Sequence, residues 1–264
     1  MFRKPLLPLL CAAVLTGLGS CRQTANPPAT KPAATKPAAT QVAAPATKPV
    51  ATQAAAPATT QAGPDKEGWI SLFDGKTLKG WKVPVFGGDG KVYVKDGAIH
   101  MEIGDMCTGV TYVEGDPNAP IRKLPRENYE IELEATRLEG NDFFCGLTFP
   151  VGKDHISLIC DGWAGYVTGL SCLDGYDASE NETTQEFDFK DKRWYQIAVS
   201  VTKTHITCWV DNKQIIRVAR EGKKIGIRSE VDLSVPLGLA TYQTHGAARN
   251  LRLRTLSDAE ARDP

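Results

Sequence analysis

The sequence predicts an all-β fold, an antiparallel β-sandwich of the jelly-roll kind, carried behind a disordered N-terminal linker. Three observations carry this. Short runs from about residue 65 to 256 alternate apolar and polar residues, as half-buried strands do. Turn residues punctuate them, with Asp-Gly, Asp-Asn and Gly-Lys-Asp between consecutive runs. No stretch shows the 3.6-residue period of an amphipathic helix, and many short strands with Gly-rich turns indicate a sandwich.

The runs can be taken in order. Trp69-Ile70-Ser71-Leu72-Phe73 leads through Asp74-Gly75 to Leu78 and Trp81, a strand, a turn and a second short strand with Ile70, Leu72 and Leu78 available to a core. Val92–Lys95 and Ala98–Ile103 form a hairpin across Asp96-Gly97, because both turn positions accept a positive φ. In 129–135, Tyr129, Ile131, Leu133 and Ala135 share one face, and Glu130, Glu132 and Glu134 share the other. Residues 143–151 are nearly continuously apolar and read as a buried strand. Residues 155–160 come after the Gly152-Lys153-Asp154 turn. Residues 194–202 place Tyr195, Ile197, Val199 and Val201 on one face. Ile206, Cys208 and Val210 repeat this before Asp211-Asn212 turns the chain into 214–218, and 237–242 with 248–253 close the set.

Outside this region the chain is different. Residues 1–20 have the form of an export signal, with Arg3 and Lys4 ahead of an apolar run from Leu6 to Leu18 that is too short for a comfortable membrane span. Leu18-Gly19-Ser20-Cys21 resembles a bacterial lipobox, which implies a lipidated Cys21 as the mature N-terminus and an exported, membrane-anchored protein. Residues 21–64 are dominated by Ala, Pro and Thr and lack aromatic residues, so they bury too little to order and serve as a tether. The expected organisation is signal 1–20, linker 21–64, sandwich 65–256 and polar tail 257–264.

Of the chain's 264 residues, 31 are basic and 31 acidic, but six of the basic ones lie before the first acidic residue, Asp65. The region from Asp65 onward therefore has 25 basic against 31 acidic residues, a net charge of −6. That sign excludes nucleic acid as a partner and fits a neutral sugar or a cation. Seven cysteines include no CxxC pair, which excludes a zinc ribbon or a thioredoxin-like motif. The five beyond residue 100 are either small buried hydrophobes or contribute one or two disulfides.

The stretch Gly68-Trp69-Ile70-Ser71-Leu72-Phe73-Asp74-Gly75-Lys76-Thr77-Leu78-Lys79-Gly80-Trp81 resembles the opening signature of the 3-keto-disaccharide hydrolase domain family. The later segments come in a similar order too: the Asp-Gly hairpin, the Glu-rich strand, Gly140-Asn141-Asp142, and the closing strands that contain Gln243 and His245. The resemblance covers about 65–256. It implies a concanavalin A-like jelly roll and an activity on 3-keto-disaccharides. There the C3 ketone acidifies the C2 proton, a base removes it, the glycosidic oxygen leaves with acid help and water adds back. Such chemistry needs paired carboxylates or a histidine, and a divalent cation can polarise the ketone.

Three places could supply the groups. Glu130, Glu132 and Glu134 repeat at about 6.8 Å, within the separation that glycosidic cleavage uses, yet such a face is ordinarily just solvated. The stretch 161–186 collects Trp163 and Tyr176 to stack on a sugar, Asn181 to hydrogen-bond it, and Asp174, Asp177, Glu180 and Glu182 as acid–base groups or oxygen ligands for Ca²⁺. Asp142 stands at the start of an apolar run, where burial favours general-acid use, or serves an Asx turn. The candidates are Asp142, Glu180 and Glu182 for catalysis and Trp163, Tyr176 and Asn181 for substrate. His100, His155, His205 and His245 are scattered without metal-ligand spacing. The expected function is a surface-anchored lipoprotein that hydrolyses 3-keto-glycosides; the alternatives are a glycan-binding module and a structural envelope protein.

Overall fold

The computed structural model describes residues 64–262. The export segment, the Ala/Pro/Thr-rich stretch to residue 63 and Cys21 lie outside the described residues. The strands are β1 (Ile70–Ser71), β2 (Trp81–Lys82), β3 (Val92–Lys95), β4 (Ala98–Met101), β5 (Cys107–Tyr112), β6 (Tyr129–Glu139), β7 (Cys145–Val151), β8 (Asp154–Asp161), β9 (Val167–Ser171), β10 (Tyr195–Val201), β11 (His205–Val210), β12 (Lys213–Ala219), β13 (Gly238–Tyr242) and β14 (His245–Thr255). They build two antiparallel sheets. The larger runs β12-β11-β10-β6-β14-β4-β3, with β1 on β14; the smaller runs β2-β5-β13-β7-β8-β9. This is the predicted sandwich.

The main core lies between the sheets. Ile131 and Leu133 of β6, Ile197 and Val199 of β10 and Leu253 of β14 meet Leu147 and Phe149 of β7 and Leu158 of β8, all fully or almost fully buried. Trp81 joins them, donating its indole N–H to the Leu72 carbonyl at 2.8 Å and standing edge-on to Tyr112. Trp69 instead lies under Arg252 and Arg254, whose guanidinium carbons are 4.5 and 5.1 Å from its ring centre. Cys107, Cys145, Cys160 and Cys208 are free, buried thiols, so these four fit the small-hydrophobe reading. Both foreseen hairpin turns form, with positive φ at Asp96 and Gly97 and at Asp211 and Asn212.

The Glu-rich face of β6 is a cross-strand ion-pair ladder. Arg254, Arg252 and Arg249 of β14 reach Glu130, Glu132 and Glu134 at 2.7, 2.9 and 2.7 Å. Each carboxylate is thus matched to a guanidinium on the outer face, which is the solvated arrangement and not a catalytic pair.

Two strands depart from expectation. β5 was not foreseen, and β9 lies inside the stretch 161–186 that reads as one loop. Both belong to the smaller sheet, whose outer face is covered. Cys107, Ile159, Val167 and Ala240 point outward and form a second cluster with Phe143, Ala178 and Val231. The 3-10 helix Ser229–Ser234 and the 174–186 loop supply that cover. Their approach is close because the sheet presents glycine: a Cβ on Gly238 would meet the Ser234 carbonyl at 2.6 Å, and one on Gly169 the Ala178 carbonyl at 3.0 Å.

Candidate functional site

Where the cover stops, a cavity of about 290 Å³ remains over the smaller sheet. Asp142, Trp163, Arg228, Glu230 and Tyr242 bring polar or aromatic groups to it, and Phe143, Ile159 and Val231 are among its apolar walls. This mixture of apolar wall and a few converging polar groups is that of a small-molecule site.

Asp142 precedes β7 and is held from two sides. The Phe143 N–H donates to Oδ1 at 2.8 Å and the Ala164 N–H donates to Oδ2 at 3.0 Å. Its own N–H donates to Thr244 Oγ1 at 3.0 Å. The Ala164 contact depends on an unusual segment. Asp161, Trp163 and Ala164 all take left-handed backbone angles, with φ of 69°, 53° and 60°, and Gly165 comes next at 90°. L-residues avoid this region, so the surroundings must hold the turn. Asp161 is 3% exposed and pairs with Arg137 Nη1, while Arg137 Nε donates to Asp191 at 2.6 Å. Burial pushes the Asp161 carboxyl above the ordinary aspartate value, with Arg137 opposing it. The turn delivers the Trp163 side chain to the cavity and a backbone donor to Asp142.

Arg228 anchors the opposite wall. Nη1 pairs with the fully buried Asp177 at 2.5 Å, Nη2 with Glu230 Oε1 at 2.5 Å, and Nε with Glu230 Oε2 at 3.3 Å. Its guanidinium carbon lies 5.6 Å from the Trp163 ring centre. The hydrogen bonds from Arg228 hold Glu230 below the ordinary glutamate value, so it is a carboxylate at neutral pH. Among the described residues three of the five guanidinium N–H donors have partners, which leaves two for a ligand. Tyr242 stacks on Phe143 with ring centres 5.9 Å apart. Burial, with Asp142 adding to it, raises its phenol, so Tyr242 is a neutral O–H donor. Burial, with Glu230 and Asp142, pushes the Cys107 thiol up to about 12, which removes it as a nucleophile.

Of the six residues singled out from the sequence, Asp142 and Trp163 line this cavity and four do not. Glu180 is exposed, and Glu182 is spent on Lys223 at 2.8 Å. Tyr176 is half exposed. Asn181 has its amide committed to the loop: Nδ2 donates to the Leu170 and Asp177 carbonyls at 2.7 Å each, and Oδ1 accepts from Thr183. It pins the 174–186 segment against β9, and that internal work is why a polar loop so long packs tightly. Asp174 and Asp177 are likewise paired, with Lys223 and Arg228.

The donor set does not fit a resident cation in the cavity. Both Asp142 oxygens accept backbone N–H groups, and both Glu230 oxygens face Arg228. Among the described residues no group of three or more His, Cys, Asp or Glu side chains gathers to hold a metal ion. Arg228, Glu230 and Tyr242 were not anticipated. The one signal for the first two is an Arg-x-Glu pair in an otherwise unpatterned connection; Tyr242 is at the end of a strand that was foreseen.

The two sheets form an antiparallel β-sandwich of the jelly-roll kind, with the cavity over one outer face. Within that class the chain belongs to the family of 3-keto-alpha-glucoside-1,2-lyase-like domains, which it matches over residues 68–254. Solved structures similar to it include the carbohydrate-binding module CBM66 from Bacillus subtilis, at 10% identity over 68% of this chain and 98% of that one with a TM-score of 0.44. Domain 4 of an extracellular arabinanase from Geobacillus stearothermophilus, in complex with arabinotriose, gives 12% identity, 74% and 95% coverage and a TM-score of 0.45. A β-1,3-1,4-glucanase (lichenase) from a mouse hindgut metagenome gives 8%, 72%, 98% and 0.45. No residue role is carried over from them. No curated protein matches the chain.

Proposed function

We propose that the cavity takes the oxidised ring of a 3-keto-glycoside and eliminates its aglycone across C1 and C2, with water then adding to the product. The observation that carries this is the gathering of Asp142, Arg228, Tyr242 and Trp163 on one half-open cavity in a chain of this family. The Asp142 carboxylate takes the C2 proton as the C2–H bond breaks. The electron pair moves into the C1–C2 bond region as the C1–O bond breaks. The two remaining Arg228 donors stabilise negative charge at the C3 oxygen, a preorganised electrostatic role. The Tyr242 phenol gives its proton to the departing glycosidic oxygen and is reprotonated from solvent. Trp163 offers a face for the ring. No step is routed through a metal ion.

The test incubates the purified chain with 3-keto-disaccharides and their unoxidised parents and tracks the released monosaccharide. Release from the keto substrate alone is expected, falling by about 10²–10⁴-fold in Asp142→Asn. A second reading, a glycan-binding module, is favoured by the hydrogen bonds that each oxygen of the two cavity carboxylates already accepts. It gains if the wild type binds keto-sugars saturably, turns none over, and loses binding in Trp163→Ala. We further propose that the protein is exported and anchored through lipid on Cys21, as its lipobox-like Leu18-Gly19-Ser20-Cys21 supports.

A further inference from the structure

Outside the cavity, one pair of side chains has chemistry that the proposed function does not use. His100 of β4 and His245 of β14 lie 145 residues apart in the chain, and the pairing of those two strands brings them together. Nδ1 of His100 is 3.3 Å from Nε2 of His245, and the ring centres are 5.5 Å apart with the planes tilted by 57°. That separation is just beyond the usual range of an N–H hydrogen bond, about 2.7–3.2 Å. It matches two nitrogens bound to one tetrahedral Zn²⁺, which at Zn–N lengths of about 2.0–2.1 Å stand about 3.3–3.4 Å apart.

We infer that His100 and His245 form a two-imidazole site for a late first-row dication, Zn²⁺ by its geometry. The His100 ring is already oriented. It stacks on Tyr93, directly across the β3–β4 hairpin, at 5.0 Å between centres and 4° between planes. Both histidines are half-buried, so water and an ion can reach them. Metal binding requires the shared proton to leave the facing nitrogen of one ring, a tautomer change within that imidazole. No third His, Cys, Asp or Glu among the described residues joins the pair. Water completes the coordination, so the site is open and exchangeable, not a closed structural centre. It exists only when β4 and β14 are paired, so the ion stabilises the folded chain by mass action.

The experiment uses the full chain without an affinity tag. Zn²⁺ is titrated by calorimetry, and thermal unfolding is compared with Zn²⁺ and with EDTA. One Zn²⁺ per chain in the micromolar range is expected, with a rise in Tm that grows with Zn²⁺ concentration. Both signals should vanish in His100→Gln and in His245→Gln and persist in His155→Gln. The readout is the Zn²⁺-dependent shift within each variant, so a variant that is less stable by itself still answers. Absence of Zn²⁺ binding in the wild type, or binding unchanged in the two variants, would leave a hydrogen-bonded imidazole pair and overturn the inference.

Discussion

Asp161 shows how much of the site depends on single buried groups. Its carboxylate opens the left-handed turn, and Arg137 is the cation that meets it away from solvent. Removing one member of a buried pair strands the other, at a cost of about 3–5 kcal/mol. Arg137→Met should therefore lower stability by that amount in urea unfolding, and Arg137→Met with Asp161→Asn should recover part of it. A single-variant loss below about 1 kcal/mol would mean that solvent or Asp191 already carries the charge. The histidines give a separate, pH-dependent expectation. His100 and His155 are both held below the ordinary value of 6.5, chiefly by burial. His245 adds to this for His100, opposed by a hydrogen bond to the Lys95 backbone and by Asp96; Arg126 adds to it for His155 against Asp154 and Glu114. Well above pH 6.5 both folded and unfolded imidazoles are almost entirely neutral, and they do not affect stability. As pH falls below 6.5 the unfolded chain takes up protons first, so stability declines until the lower folded values are passed. The urea midpoint should drop between pH 7.5 and 5.5, and His155→Gln should show a smaller drop than the wild type.

At the scale of elements, legibility in the sequence depends on which faces are wet. β6, β10 and β11 alternate because one face meets the core and the other meets solvent, and the larger sheet was foreseen from them. β5 hides because Cys107-Thr108-Gly109-Val110-Thr111-Tyr112 is buried on both sides, so no alternation survives. β9 hides for the same reason, since its outer face lies under the 174–186 loop. The site was half legible. Asp142 and Trp163 lie beside strands or turns with clear patterns, whereas Arg228 and Glu230 come from a connection whose position only the covered sheet determines. Gly238 tests that dependence. In Gly238→Val the new side chain must displace the Ser234 backbone, 2.6 Å from the Cβ position. A loss of about 1–3 kcal/mol is expected for such overpacking. Because the 3-10 helix carries Glu230 and Val231, ligand binding should fall further than stability does. Equal binding in a destabilised variant would show that the helix can lift without disturbing the cavity.

For the whole molecule, the two outer faces of the sandwich divide the work. The described chain begins on the larger sheet, where β1 joins β14 and Trp69 lies beneath Arg252 and Arg254. The cavity lies on the smaller sheet, across the full thickness of the core. The first described strand and the cavity thus lie on opposite outer faces of the sandwich. If Cys21 carries lipid, anchoring and ligand handling are separable functions. A clickable fatty-acid label should enter the wild-type chain and disappear in Cys21→Ser. Keto-sugar turnover or binding per molecule should be equal for detergent-solubilised wild type and Cys21→Ser, because the residues that line the cavity all belong to the smaller sheet and its cover. Label retained in Cys21→Ser would place the acyl group elsewhere. Turnover or binding that changed with loss of the anchor would show that the tether reaches around to the smaller sheet, against the separation that the two faces imply.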